Sequence, residues 1–279
     1  MIRYPAVSGQ FYSDDFSELT RQIERCFIKG PGTLPGRRKN LQLRGVIAPH
    51  AGYDFSGPTA SWAYREIAES SFPDVFIVLG TSHSGYKTCV SLSDWKTPLG
   101  IVKNDSEFTK SLKIIDDEKA HLHEHSIEVQ LPFLQFACKD KPENIRICPI
   151  MVNDPNGVAE KIILSAKKQS KSVLIIASSD FTHYGQNYSY LPFVSNIKEN
   201  LHKLDQSAIR KIMKLDIEGF KAHIEKTQAT ICGRSPITVL MEYMLKQGVK
   251  NSRLLNYTTS GDVLNDFSNA VGYAAISFY

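Results

Sequence analysis

Three runs of β-branched and aliphatic residues in this 279-residue chain each stop at a histidine or an acid. They read Gly45-Val-Ile-Ala-Pro-His50, Val75-Phe-Ile-Val-Leu-Gly-Thr-Ser-His83 and Val173-Leu-Ile-Ile-Ala-Ser-Ser-Asp180-Phe-Thr-His183. A short unbroken apolar run is the pattern of a strand buried on both faces, as in a parallel sheet. Ligands of open parallel sheets gather just beyond the carboxyl ends of the strands. Three such ends, each with a metal-competent or proton-transferring side chain, point to one shared site.

The segments between these runs predict the rest of the fold. Residues 14–28 space their apolar groups like an amphipathic helix, and 30–40 form a Gly/Pro-rich loop. A strand at 44–48, a helix opened by Gly57-Pro58-Thr59 through Glu69, and a strand at 75–80 make a β-α-β unit, with Pro58 in the first helical position. Residues 88–103 read as a hairpin or edge excursion, 105–116 and 126–138 as helices, 145–152 as a strand and 155–169 as a helix. After the strand at 173–177, two or three helices fill 194–247, and strands at 253–257 and 271–278 close the chain. There is no internal repeat, low-complexity tract or linker. The expectation is a single α/β domain over 1–279 with a central, largely parallel or mixed sheet flanked by helices.

Hydrophobic residues make up 42 % and charged residues 22 %, a globular balance that excludes a disordered chain. A net charge of +4, with no basic cluster longer than Arg37-Arg38-Lys39, gives no support for nucleic-acid binding. No apolar stretch is long enough for a membrane span, and the N-terminus lacks a signal-peptide core. The five cysteines are odd in number, widely spaced and without a C-x-x-C pair, which fits a reducing cytoplasm.

Several groups carry candidate chemistry. His50 and His83 each follow a buried strand, and two neutral imidazoles are ordinary ligands for iron, copper or zinc. A packed strand-end histidine competes for His50, and a merely exposed one for His83. Asp180 suits a metal ligand or a histidine-orienting group, and His183 a general acid/base; a plain Asx turn is the competing account. Ser235-Pro236 reads as an N-cap and first turn, so Cys232 and Arg234 stand at a helix start. That setting favours a Cys232 thiolate, as soft ligand, nucleophile or redox group, and lets Arg234 bind an anion. His125 and Glu128, three apart at the start of the helix at 126–138, share a face and can both point to a site; a helix-start salt bridge explains the pair equally well.

Together these residues resemble the Memo family, whose prokaryotic members are called AmmeMemoRadiSam system protein B. The matching segments are Pro5-Ala-Val-Ser-Gly-Gln-Phe-Tyr12, Ala48-Pro-His-Ala-Gly-Tyr53, Gly80-Thr-Ser-His83, Glu124-His-Ser-Ile-Glu-Val-Gln-Leu-Pro-Phe-Leu134, Ser178-Ser-Asp-Phe-Thr-His183 and Ile231-Cys-Gly-Arg-Ser-Pro236. They follow the family order from near the N-terminus to past residue 230. Ser13 departs from the proline usual in prokaryotic relatives, a loop difference outside the site. The resemblance implies a fold like the class III non-haem iron extradiol dioxygenases. It implies a metal site at His50, His83 and Cys232, with Asp180 and His183 alongside. A glutamate takes the cysteine's role in those dioxygenases, so their activity does not transfer. The resemblance further implies copper redox activity, phosphotyrosine-peptide recognition by the same pocket, and association with an AMMECR-type protein and a radical SAM enzyme.

Three readings follow. The leading one is a cytoplasmic redox metalloprotein using iron(II), with copper or zinc as alternatives. In it His50, His83 and Cys232 hold the metal, His183 moves protons, Asp180 ligates or orients, and Arg234, His125 and Glu128 contact substrate. The second is a binding module for a peptide or small anion without turnover. The third is a hydrolase built on Cys232 and His183 or on zinc.

Overall fold

The computed structural model describes all 279 residues. The chain opens with a two-residue strand, β1 (Ile2–Arg3), and helix α1 (Phe16–Lys29). Asp15 caps α1 by accepting from the Glu18 N–H, and Leu19, Ile23, Cys26 and Phe27 make its buried stripe. Strand β2 (Gly45–Ala48), helix α2 (Tyr53–Glu69) and strand β3 (Val75–Thr81) form the expected β-α-β unit. Next come β4 (Cys89–Val90), β5 (Asp94–Thr97) and β6 (Gly100–Asn104), then α3 (Ser106–Ser111), α4 (Glu118–Leu122) and α5 (Gln130–Ala137). Strand β7 (Arg146–Val152), α6 (Val158–Gln169), β8 (Val173–Ser178) and β9 (His183–Gly185) follow. Helices α7 (Ile197–Met213), α8 (Ile217–Thr227) and α9 (Arg234–Lys246) precede β10 (Ser252–Thr259), α10 (Ser260–Leu264) and β11 (Asn269–Phe278).

One sheet runs through the molecule in the order β1-β5-β6-β7-β3-β8-β2-β11-β10, with β4 on β7 and β9 on β11. The five strands β6-β7-β3-β8-β2 are parallel, and β11 and β10 extend them antiparallel. Consecutive strand residues alternate between two cores. Ile47, Ile77, Leu79 and Ile175 join one cluster, while Val46, Phe76, Val78 and Ile176 join the other. Side chains of a strand point to opposite faces in turn, so both faces of this sheet are covered. The fold is a single α/β domain with a mixed, mostly parallel sheet flanked by helices, as the sequence led us to expect.

Some boundaries differ for identifiable reasons. Helix α2 starts at Tyr53, four residues before Gly57, and carries Pro58 inside it. Tyr53 is held at both ends: its N–H donates to Phe11 O at 2.8 Å and its hydroxyl to Val129 O at 2.7 Å. The helix expected over 105–116 ends at Ser111, because Lys113 takes a left-handed backbone (φ 52°). The helix expected over 126–138 starts only at Gln130, with a turn before it. In 88–103, β5 and β6 form the hairpin while β4 pairs separately with β7.

Candidate metal centre

Strands β3, β8 and β2 are neighbours in the sheet, so their carboxyl ends stand about 5 Å apart. His50 lies just past β2, His83 just past β3 and Asp180 just past β8. A fourth segment closes on them because residue 80 is glycine. A Cβ there would stand 2.5 Å from Ile127 Cγ1 and 2.6 Å from Ser126 Oγ. Without it, Ser126 Oγ reaches both the N–H and the carbonyl of Thr81 at 3.1 Å, and the turn at 124–127 seats on the end of β3.

That turn brings His125 and Glu124 to His83. The donor nitrogens of His50, His83 and His125 lie within 4.8 Å of one another, a spacing suited to a metal ion. The rings of His83 and His125 stack at 4.5 Å, and His50 stands edge-on to both at 5.4 Å. Glu124 Oε1 accepts from His83 Nδ1 at 2.9 Å, and Oε2 accepts from the His83 backbone N–H at 2.9 Å. A carboxylate only accepts, so His83 carries its proton on Nδ1 and presents Nε2. The hydroxyl of Ser178 donates to Ser126 O at 2.6 Å, so it accepts from His50 Nδ1 at 2.8 Å. His50 therefore also presents Nε2.

Cys232 arrives from the far side, again through a glycine. A Cβ at Gly233 would stand 2.3 Å from Ser179 Cβ, so only glycine lets the start of α9 press onto the end of β8. Cys232 Sγ lies 3.2 Å from His50 Nε2 and accepts from the Asp180 N–H at 3.2 Å. Tetrahedral nitrogen and sulfur ligands of one ion stand roughly 3.6 Å apart, so this pair is close enough to share one.

The electrostatics keep two of the three imidazoles, His50 and His125, neutral and ready for a cation. Burial, then the neighbouring His125 and His83, push His50 well below the usual histidine range. Burial and the His83 charge push His125 down to about 4. Burial pulls His83 down too, but the hydrogen bond and charge of Glu124 outweigh it and raise it. Glu124 is itself lowered: burial opposes ionisation, and His83 with the Ser126 and His83 N–H groups overcomes it. Burial raises Asp180, against His183 and the N–H groups of His50 and Ala51. The thiolate expected at Cys232 is corrected here. Burial and the Asp180 charge raise its pKa, so without a cation it is a neutral thiol.

A cleft of about 450 Å³ opens beside the histidines, lined also by Phe11, Asp180, His183 and Tyr188. Asp180 Oδ1 accepts from the N–H groups of His50 (2.8 Å) and Ala51 (3.3 Å) and so ties the turn after β2 to the end of β8. His183 sits in β9, its Nδ1 donating to Thr230 O at 3.0 Å, which leaves Nε2 as an acceptor. Arg234 is not in this cleft. It is the first residue of α9, capped by Gly233 rather than the expected Ser235, and lines an adjoining cleft of about 540 Å³ with His83 and Cys232. Glu128 does not reach either cleft. It is wholly buried, paired with Arg3 and bonded by Tyr12 Oη (2.7 Å) and the N–H groups of Ala6 and Val7. The expected shared face with His125 fails because both residues precede α5.

The Memo-like protein family model matches residues 3–277. The chain belongs to the Memo family. A MEMO1 family protein of Methanopyrus kandleri is 40 % identical, over 100 % of this chain and 99 % of that protein. A MEMO1 family protein of Methanococcus vannielii is 38 % identical over 99 % of each. One from Thermococcus kodakarensis is 36 % identical over 100 % of this chain and 99 % of its own length.

Two residues of this candidate site escaped the sequence reading. Glu124 was visible beside His125, but no local spacing links it to His83, 41 residues away. Ser178, which sets the His50 tautomer, looked like the end of a strand and carried no signal of its own.

Proposed function

We propose that this protein is a redox metalloprotein using iron(II), with His50, His83 and His125 as nitrogen ligands and Cys232 as an adjacent sulfur donor. The observation that carries this reading is the convergence of three imidazole donors within 4.8 Å beside an open cleft. Imidazole sites with open positions suit iron(II), and also copper. Bound iron would supply one-electron chemistry and positions for oxygen or an organic substrate. A cation beside Cys232 would draw off its proton despite burial.

The chain's own residues take the remaining roles. Asp180 holds the turn that carries His50. His183, with Nδ1–H committed to Thr230, offers Nε2 to accept a substrate proton. Arg234 steers an anionic group through the adjoining cleft toward His83 and Cys232. A cytoplasmic setting is part of the proposal: all five cysteines are unpaired, and no helix is long and apolar enough to cross a membrane. So is association with an AMMECR-type protein and a radical SAM enzyme, which rests on family membership.

A second reading, zinc-assisted hydrolysis, is favoured by the three-imidazole set, which can hold a zinc-bound water. Metal analysis of protein prepared without oxygen, followed by electron paramagnetic resonance with nitric oxide, separates the two. About one equivalent of iron giving a ferrous nitrosyl signal is expected. Stoichiometric zinc without iron would favour hydrolysis. Binding of neither metal would sink both readings.

A further inference from the structure

At the opposite, amino-terminal edge of the parallel strands lies another cleft, of about 440 Å³. It forms where Arg44 enters β2 and Ser172 enters β8, against the carboxyl-terminal half of α9. The six residues of β8 span roughly 20 Å, so this cleft and the histidines occupy opposite ends of the sheet.

Its lining is cationic and holds no carboxylate. The Arg44 guanidinium and the Lys167 ammonium have no ion-pair partner, and Lys171 adds a third cation, bonded to Asp105 at 2.6 Å. Tyr243, only 3 % exposed, lines the cleft, and its hydroxyl has no hydrogen-bond partner in the protein. Burial raises this phenol and the Arg44 charge opposes the rise, so the two groups are within electrostatic reach. Ile163, Ala166 and Val173 supply an apolar wall. Lys167 also stands in the last turn of α6, where a cation complements the helix carbonyls. That explains Lys167 alone, not the unpaired Arg44 or the unpartnered phenol. A hydroxyl without a hydrogen-bond partner and an unpaired guanidinium lining one cleft whose walls carry no carboxylate are a set of unfilled hydrogen-bond donors.

We propose that this cleft binds a phosphate monoester with a short apolar substituent. Arg44, Lys167 and Lys171 meet the dianion, Tyr243 donates to a phosphate oxygen, and the apolar wall takes the organic group. The site is independent of the histidine centre and of any metal there.

Calorimetric titration of the full-length protein with phenyl phosphate and with inorganic phosphate tests this. The expected result is saturable binding that depends on Arg44 and is tighter for phenyl phosphate. Arg44→Gln should weaken it about tenfold or more and Tyr243→Phe about threefold, while Lys203→Gln, at an exposed position outside every cleft described, leaves it unchanged. Thermal melts check that the variants are folded, and Lys167→Gln, at an exposed position, gives a second reading that is safe for folding. The proposal is overturned by no saturable binding below about 10 mM, by full affinity in both Arg44→Gln and Lys167→Gln, or by an equal loss in Lys203→Gln.

Discussion

Glu124 Oε1 and His83 Nδ1 meet at 2.9 Å, and the other oxygen of the same carboxylate holds the His83 backbone N–H at 2.9 Å. One side chain thus fixes both the tautomer and the position of a candidate ligand. Its Oε1 also lies 3.6 Å from His125 Nδ1, so its charge faces two of the three imidazoles.

Replacing Glu124 by glutamine keeps the shape and removes the charge. The amide can no longer accept at both oxygens, and His83 loses its reason to keep the proton on Nδ1. Partners of this kind are worth about 10–100-fold in metal affinity. Competition titration of Glu124→Gln with a chromophoric chelator should show a loss in that range. Unchanged affinity would mean that His83 is not a ligand.

His125 and Cys232 make separable contributions. His125→Ala removes one of three converging nitrogens and should abolish stoichiometric metal, as His50→Ala should. Cys232→Ser should retain the metal, because the imidazoles remain, but lose the sulfur-to-metal charge-transfer absorption of a cobalt-substituted sample. Metal retained in His125→Ala and lost in Cys232→Ser would instead make the ligand set His50, His83 and Cys232.

Much of the frame was legible because buried parallel strands announce themselves. The runs at 45–48, 75–81 and 173–178 are apolar on both faces, and each ends where the chain turns toward polar chemistry. The site was only partly legible. His125 and Glu128 looked alike under helical periodicity, but they lie in a turn before α5, and that turn sends their side chains to opposite destinations. The two glycines that let Ser126 and Cys232 approach the strand ends act through the atoms they lack, which no spacing rule reads. Cys232 is half-buried at the end of β8 and faces the Asp180 charge, so a helix-start argument pointed its pKa the wrong way.

Glu128 offers a control with the opposite signature. Its carboxylate is wholly buried against Arg3, which also lies 4.4 Å from the Trp95 ring. Glu128→Gln leaves the Arg3 charge buried without its counter-ion, a loss of about 3–5 kcal/mol. Urea unfolding should show that drop, while metal stoichiometry of the folded protein stays unchanged. A stable variant with weakened metal binding would return Glu128 to the site.

Asp205 on α7 carries a pH dependence that can be isolated. It is wholly buried and accepts from the Thr182 N–H at 3.2 Å and from Tyr257 Oη at 2.7 Å, beneath the segment that carries Asp180 and His183. Burial pushes its carboxyl up to about 6, with the bonds from Thr182 and Tyr257 opposing. An acid whose folded pKa lies above its unfolded value binds more protons when folded, so its contribution is full below the unfolded value near 4. That contribution is lost as pH rises through about 6. A shift of this size corresponds to about 3 kcal/mol across the window. Asparagine keeps an oxygen for Thr182 and an N–H for Tyr257 Oη, but has nothing to ionise. Denaturant unfolding of the metal-free protein at pH 4.5 and 7.5, values chosen at about the two ends of the window, should give Asp205→Asn a more favourable change in stability than the parent. Equal changes in both proteins would show that Asp205 has the same proton affinity folded and unfolded, and that its hydrogen bonds fully offset its burial.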